Sequence, residues 1–173
     1  KLEELMTQVL NDDQKNMMEE LEKLLEEMNK EKLKDVLEKI DEKNTNTEKD
    51  LERNLELYKQ LDFEQSLEEL IKNIDLLKKQ QELLKNQTDS EDSKSKKLEE
   101  NQESLEKDLE KLKKELNALK EKNEELENKN KVPETKKNEE DASLNMKNSK
   151  ESLSKKQKKK SSKEQKKVIE NLE

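Results

Sequence analysis

Leucine recurs every seven residues at Leu98, Leu105, Leu112, Leu119 and Leu126, and this spacing constrains the fold more than any other feature of the chain. A seven-residue repeat returns a side chain to the same stripe of a helix, so these leucines can leave water together only if the helix lies against another helix. With leucine at d, the intervening a positions are Gln102, Leu109, Leu116 and Asn123. Occasional polar a residues restrict the register and partner of a coiled coil at some cost in stability. The spacing predicts one helix over residues 97–131, stopped by Val132 and Pro133, because proline lacks an N–H and disfavours a helical residue before it. In a parallel pair, g to e contacts would join Asp108 to Lys113, Glu115 to Lys120 and Lys122 to Glu127, each opposite in sign. The same charges also pair within one helix at i,i+3 and i,i+4. The sequence therefore leaves two partners open for this seam, a second copy and the chain's own helices.

Upstream, residues 51–84 hold the only arginine, tyrosine and phenylalanine of the chain (Arg53, Tyr58 and Phe63) and its densest set of apolar residues. Leu55 and Tyr58 continue one stripe, and Leu61 and Phe63 interrupt its spacing. With Leu67 at a and Leu70 at d, Ile74 falls at a and Leu77 and Leu84 at d, while Ile71 and Leu76 broaden the face. So wide a stripe predicts contact with more than one neighbour. Before it, Met17, Leu21, Leu24, Leu25 and Met28, then Leu33, Val36, Leu37 and Ile40, predict a helix over residues 13–43 with a bend near 29–32. Thr47 and Asp50 then imitate a capping box, with Asp in place of the usual Glu.

Composition separates long helices from a compact domain. Hydrophobic residues make up 26% and charged residues 49%, too little apolar surface to enclose a large core and offset the ordering entropy of 173 residues. Glycine is absent and proline occurs once, whereas Glu, Lys and Leu are good helix formers. The predicted fold class is all-α, with long amphipathic helices forming antiparallel hairpins and a coiled coil, elongated rather than globular. The predicted divisions are a helical hairpin or bundle region at 1–85, a polar linker at 86–96, a coiled-coil helix at 97–131, a charged linker at 132–146 and a basic helix or partly disordered tail at 147–173. The net charge of -8 conceals a gradient, since residues 1–50 carry 9 lysines against 16 acids and residues 131–173 carry 13 lysines against 8 acids.

Preceded by the methionine- and leucine-rich run MMEELEKLLEEMNKEKL, the segment LERNLELYKQLDFEQSLEELIKNIDLLKKQQELL resembles the central helical region of a family of large membrane-anchored Bacteroidota proteins, known only as a domain of unknown function. The matching motif is carried by Arg53, Asn54, Leu55, Glu56, Leu57, Gln60, Leu61 and Glu64, and the tail SSKEQKKVIENLE is similar to that family's Ser-x-x-Gln-Lys-Lys helix. The resemblance covers about residues 15–85 and implies a cell-envelope location, an inner-membrane anchor outside this segment with the segment itself extracytoplasmic, and a scaffold role. It brings no catalytic residue, substrate or cofactor. A cytoplasmic location is the alternative. The chain opens at Lys1 already in an amphipathic rhythm and reads as a piece of a larger protein.

No constellation for catalysis is visible. Cysteine and histidine are both absent, so thiolate chemistry and the usual imidazole acid or base are missing, and no metal or other cofactor is expected. Carboxylate pairs such as Glu99 and Glu100 read as helix surface. Arg53, Tyr58 and Phe63 could form a recognition cluster, but the plainer reading packs the two aromatics into a helix junction and pairs Arg53 with a glutamate. Met6, Met17, Met18 and Met28 read as core filling rather than an adaptable groove.

The expected function is therefore non-enzymatic, a scaffold acting through helix packing. The interface would be carried by Leu55, Tyr58, Leu61, Phe63, Leu67, Leu70, Ile74, Leu77, Leu98, Leu105, Leu109, Leu112, Leu116, Leu119, Asn123 and Leu126. Its partners would be proteins: its own helices, a second copy or another envelope component. A small-molecule substrate is not expected, and the membrane would be reached only through parts outside this segment. The alternative is an adaptor whose run KKQKKKSSKEQKK engages headgroups or nucleic acid through Lys155, Lys156, Lys158, Lys159 and Lys160. The lack of arginine and aromatics there disfavours nucleic acid, and a solvated face or a contact with the acidic first helices is the plainer reading.

Overall fold

The computed structural model describes residues 47–90 and 94–173. The helix over 13–43, the methionine stripe and any pairing of the lysine run with the acidic first helices lie outside them, as do the Thr47 and Asp50 side chains of the capping box. Among the described residues the protein is all-α: α1 is Thr47–Asp89, α2 Ser95–Glu124, α3 Lys136–Ser154 and α4 Lys158–Asn171, with no strand.

These boundaries depart from the sequence reading in three places. First, α1 runs to Asp89, taking in the first four residues of the expected linker, and Thr88 closes its last turn by donating its hydroxyl to the Leu84 carbonyl at 2.8 Å. Second, α2 stops at Glu124 rather than at Val132. Glu125 N–H donates to the Lys122 carbonyl and Leu126 N–H to the Asn123 carbonyl, so the helix tightens into i to i+3 turns and ends well before the proline. Third, most of the expected charged linker at 132–146 is helical, as the start of α3, while 147–173, expected as a basic helix or partly disordered tail, is the rest of α3 together with α4. Their stripes mix small and polar residues with a few large apolar ones, with Ala142, Met146, Ser149 and Leu153 on α3 and Ser161, Gln165 and Val168 on α4, all buried at helical spacing.

The chain divides into two compact units. In the first, the described residues are the start of α1 up to Ser66 and Lys122–Lys129. Tyr58, Phe63, Asn123 and Leu126 are buried there. Lys122 Nζ reaches Asp62 at 2.8 Å and donates to Ser66 Oγ at 2.9 Å, while the Glu127 N–H donates to Glu56 Oε1 at 2.9 Å.

The second unit, Leu67–Glu121 with Asn130–Glu173, is a four-helix bundle in which each helix runs antiparallel to its sequence neighbour. Side-chain pairs fix the directions. Gln81 meets Gln102 and Asn73 meets Glu115 between α1 and α2, while Lys113 meets Ser143 and Lys150 meets Glu106 between α2 and α3. Ser149 meets Ser161 across α3 and α4, and Lys78 meets Glu173 while Lys158 meets the Ser90 carbonyl, so the last segment returns alongside α1. Leu70, Leu77, Leu84, Leu98, Leu105, Leu109, Leu112 and Leu119 are buried inside this unit. The heptad seam of α2 is thus covered by the chain's own helices. Ile71 and Leu76 do not broaden the buried face. Each is one residue from a buried leucine, a turn of about 100° at 3.6 residues per turn, and both are about half exposed (52% and 54%).

The α3 to α4 turn shows how a chain without glycine reverses. Gln157 N–H donates to the Ser152 carbonyl and Lys156 N–H to the Leu153 carbonyl, the pair of bonds of a Schellman C-terminus. That motif demands a left-handed residue, and here it is Lys156 at φ 58°. A side chain in this region costs about 1–2 kcal/mol. Lys156→Gly is expected to raise unfolding free energy by about 1 kcal/mol in urea titration, net of the entropy glycine adds to the unfolded chain. A loss of stability would show that the lysine side chain contributes more than its backbone costs.

Candidate functional site: a buried amide layer and the helix surfaces around it

Inside the second unit the leucine core is interrupted by a layer of polar side chains. Gln81, Gln102, Ser149, Ser161 and Gln165 are all fully buried. Gln81 and Gln102 exchange two hydrogen bonds, Nε2 of each donating to Oε1 of the other at 3.2 and 2.9 Å. The Gln102 oxygen also accepts from Ser149 Oγ at 2.9 Å and from Gln165 Nε2 at 3.1 Å, so one acceptor serves donors from α1, α3 and α4. Because the single Ser149 hydroxyl hydrogen points to Gln102, Ser161 must be the donor in the 2.9 Å contact between the two serines. Gln165 Oε1 is buried and has no hydrogen-bond partner among the described residues. A charge would be expensive in this interior; an amide makes the same connections at a smaller desolvation cost.

Only Gln102 of these five stood out in the sequence, as a polar a residue. Gln81 was equally legible, since it lies seven residues after Ile74 in the register of Leu67 and Leu70. Ser149, Ser161 and Gln165 escape a search for large aliphatic side chains, and their signal is their place on stripes that end at Leu153 and Val168.

Of the residues expected at the helix interface, Tyr58, Phe63, Leu70, Leu77, Leu98, Leu105, Leu109, Leu112, Leu119, Asn123 and Leu126 are buried. Leu55, Leu61, Leu67, Ile74 and Leu116 are half-buried. Arg53 stands apart from the two aromatics. It is exposed and forms no ion pair with the described residues. Burial raises the Tyr58 phenol above its ordinary value.

The α2 charges that a parallel partner or the same helix could pair are divided between their own helix and antiparallel neighbours. Glu115 accepts from Asn73 at 3.1 Å, Lys113 donates to Glu110 at 3.1 Å and Ser143 at 3.3 Å, and Lys120 lies 3.9 Å from Glu139. On the lysine run, Lys155, Lys156, Lys159 and Lys160 are exposed and Lys158 is half-buried. Lys155 pairs with Glu151, and Lys158 donates to the Ser90 carbonyl at 2.9 Å.

Tyr58 apart, the titratable groups that shift lie at the surface and are held by hydrogen-bonded partners. Glu173 beside Lys78, Glu103 beside Lys107 and Lys150, and Glu151 beside Lys155 are all lowered, and Asp89 is lowered by Lys85 and Ser162. Lys78 and Lys111 are raised by hydrogen bonds to Glu173 and Asp108. Among the described residues no group of three or more acidic side chains could hold a metal ion, and no helix is long and apolar enough to cross a membrane. Compared with known protein families, with curated proteins and with solved structures, the chain gave no match.

Two outcomes follow from this geometry. Gln102→Leu strands donors on Gln81, Ser149 and Gln165, at roughly 1–3 kcal/mol for each group left without a partner, so a loss of about 3 kcal/mol or more is expected in chemical denaturation. A loss below about 1 kcal/mol would mean that the layer repacks freely. The carboxylates lowered by lysines stabilise the fold above the ordinary carboxylate range, near pH 4, and this contribution disappears as pH falls through their lower folded values. The raised lysines contribute below about pH 10 and lose their effect as pH rises through their higher folded values. The thermal midpoint is therefore expected to be level from about pH 6 to 9 and to fall on acidification. In Lys78→Gln, with Glu173 released, the acid limb should be shallower.

Proposed function

We propose that the chain is a non-enzymatic scaffold segment, an elongated coiled-coil spacer that braces or docks other components of a cell envelope through helix packing. The observation that supports this reading best is the amide layer of α1 to α4, joined through one oxygen. Such a layer fixes which helices meet and in what register, which is what a spacer requires and what a soft binding surface does without. The mixed-charge exterior, with its short intrahelical pairs, suits a helix surface that stays solvated. The envelope location and the membrane-anchored parent rest on the resemblance of residues 15–85 to the Bacteroidota family. Circular dichroism with sedimentation tests the reading: at micromolar concentration the chain should be more than half helical and melt in a cooperative transition. Less than half helix would remove it.

A second reading, an adaptor for anionic surfaces, is favoured by one observation. Lys155, Lys156, Lys159 and Lys160 are exposed together around the α3 to α4 turn, extending from the turn into the first turn of α4. Flotation with vesicles containing anionic lipid, and binding to duplex DNA, should then be strong at low salt and weak at high salt. Changing Lys155, Lys156, Lys158, Lys159 and Lys160 together to Ser should abolish both. Equal behaviour of variant and parent would dismiss the adaptor.

A further inference from the structure

One surface of the second unit is apolar, concave and acidic at its edge, and neither the packing of the bundle nor the lysine run accounts for it. It is a groove of about 460 Å³ whose floor is formed by Leu70, Leu109, Leu112 and Ala142. These four are buried and continue the core to the surface. Its lips are less well covered, with Ile71 more than half exposed and Ile74, Leu116 and Leu172 half-buried. The residues that line it carry four carboxylates, Asp75, Glu134, Glu139 and Glu173, against the single amine of Lys113.

The local pairing leaves that acidity only partly neutralised. Lys78 lies 2.8 Å from Glu173, and Lys120 lies 3.9 Å from Glu139. Lys113 is itself held by Glu110 at 3.1 Å. Asp75 and Glu134 form no salt bridge with the described residues; Asp75 interacts electrostatically with Lys78, and Glu134 accepts from the Lys136 N–H at 3.2 Å. The exposed aliphatic lips favour an apolar occupant, and the carboxylates select its charge. An acidic amphiphile would meet like charge in a partly desolvated setting, whereas a basic one would gain two carboxylates that are not engaged in a salt bridge with the described residues.

We propose that this groove docks a cationic amphipathic helix of a partner protein, whose leucine or isoleucine stripe lies on Ile71, Ile74, Leu116 and Leu172 and whose flanking lysines or arginines meet Asp75 and Glu134. A helix delivers such side chains at i, i+3, i+4 and i+7, and laying one apolar face into a groove is a recurrent mode of peptide recognition. The assignment deepens the scaffold reading by giving the chemistry of a component to be docked, and it rests on that reading for its biological setting alone.

Fluorescence anisotropy on the full chain tests it, using a labelled amphipathic peptide of alternating leucine and lysine runs and its leucine and glutamate counterpart. The lysine peptide should bind saturably and the glutamate peptide should not. Ile71→Ser removes a half-exposed side chain and should leave the helical spectrum unchanged and the melting cooperative. It should weaken binding at least about tenfold, and Asp75→Lys combined with Glu134→Lys should do the same. Glu99→Lys with Glu100→Lys, an equal change of net charge outside the groove, should leave affinity within about twofold. Equal loss in the groove and control variants would show attraction to net charge alone and overturn the proposal. So would no binding by a chain whose melting is cooperative, and that result would leave the scaffold reading standing.

Discussion

The second unit depends on a single amide oxygen. Gln102 Oε1 takes hydrogen bonds from Gln81, Ser149 and Gln165 in an interior from which water is excluded, so an arrangement of the helices that misplaces one of them leaves a buried donor unsatisfied. Leucine cannot impose this condition. A seam of leucines seven residues apart is nearly indifferent to sliding by one heptad, because leucine still meets leucine after the shift. Sliding α2 by seven residues would bring Leu109 or Ser95 to the height of Gln81 and replace the amide partner with a side chain that has no polar group or only one short hydroxyl. The apolar residues supply the bulk of the stabilisation, about 1.5–3 kcal/mol for each fully buried leucine, and the amides select among the registers that leucines would accept.

The charges work at a lower level of energy and agree with that selection. Exposed ion pairs contribute about 0–1 kcal/mol each, too little to hold two helices together, but enough in sum to penalise an alternative in which like charges meet. Asn73 with Glu115, Lys120 with Glu139 and Lys150 with Glu103 and Glu106 are satisfied only in the antiparallel arrangement of the bundle. In the first unit, which also buries Tyr58 and Phe63, Lys122 near the end of α2 bonds both Asp62 and Ser66. The rare aromatics of the chain are used there for burial, and Arg53 remains on the surface.

The helical class and the α2 seam were legible because large aliphatic residues at heptad spacing have few other uses. The expected stop at Val132 was misplaced because proline bars a helix from passing it without requiring the helix to reach it, and α2 ends at Glu124 in a stretch where Asn123, Asn128 and Asn130 weaken helix propensity. Residues 132–146 read as a charged linker, and 147–173 as a basic helix or partly disordered tail, because their stripes hold alanine, serine and glutamine where a search expects leucine. Those small residues permit the close approach that brings Ser149 and Ser161 to 2.9 Å, and the feature that hides the helices in the sequence is the one that seats them. The direction of pairing was not legible at all. The α2 charges satisfy a parallel partner and an antiparallel neighbour equally well, and only the positions of Asn73, Glu139 and Lys150 on other helices decide between them.

The same logic singles out α4 as the element most dependent on the amide layer. Its 14 residues carry six lysines and bury Ser161, Ser162, Gln165 and Val168, of which valine alone is a large aliphatic. Ordering a residue costs about 1–2 kcal/mol of backbone entropy, and burying one valine returns about 1.5–3 kcal/mol, so hydrophobic burial cannot by itself keep this helix in place. What remains is polar: Ser161 to Ser149, Gln165 to Gln102, Ser162 to Asp89, and at the two ends Lys158 to the Ser90 carbonyl and Glu173 to Lys78. Each of these contacts joins α4 or the residues beside it to a different point of α1, α2 or α3. The helix is therefore held in one position or not at all, and a bundle that uses such a helix as its fourth wall gives up stability there in exchange for a single defined geometry.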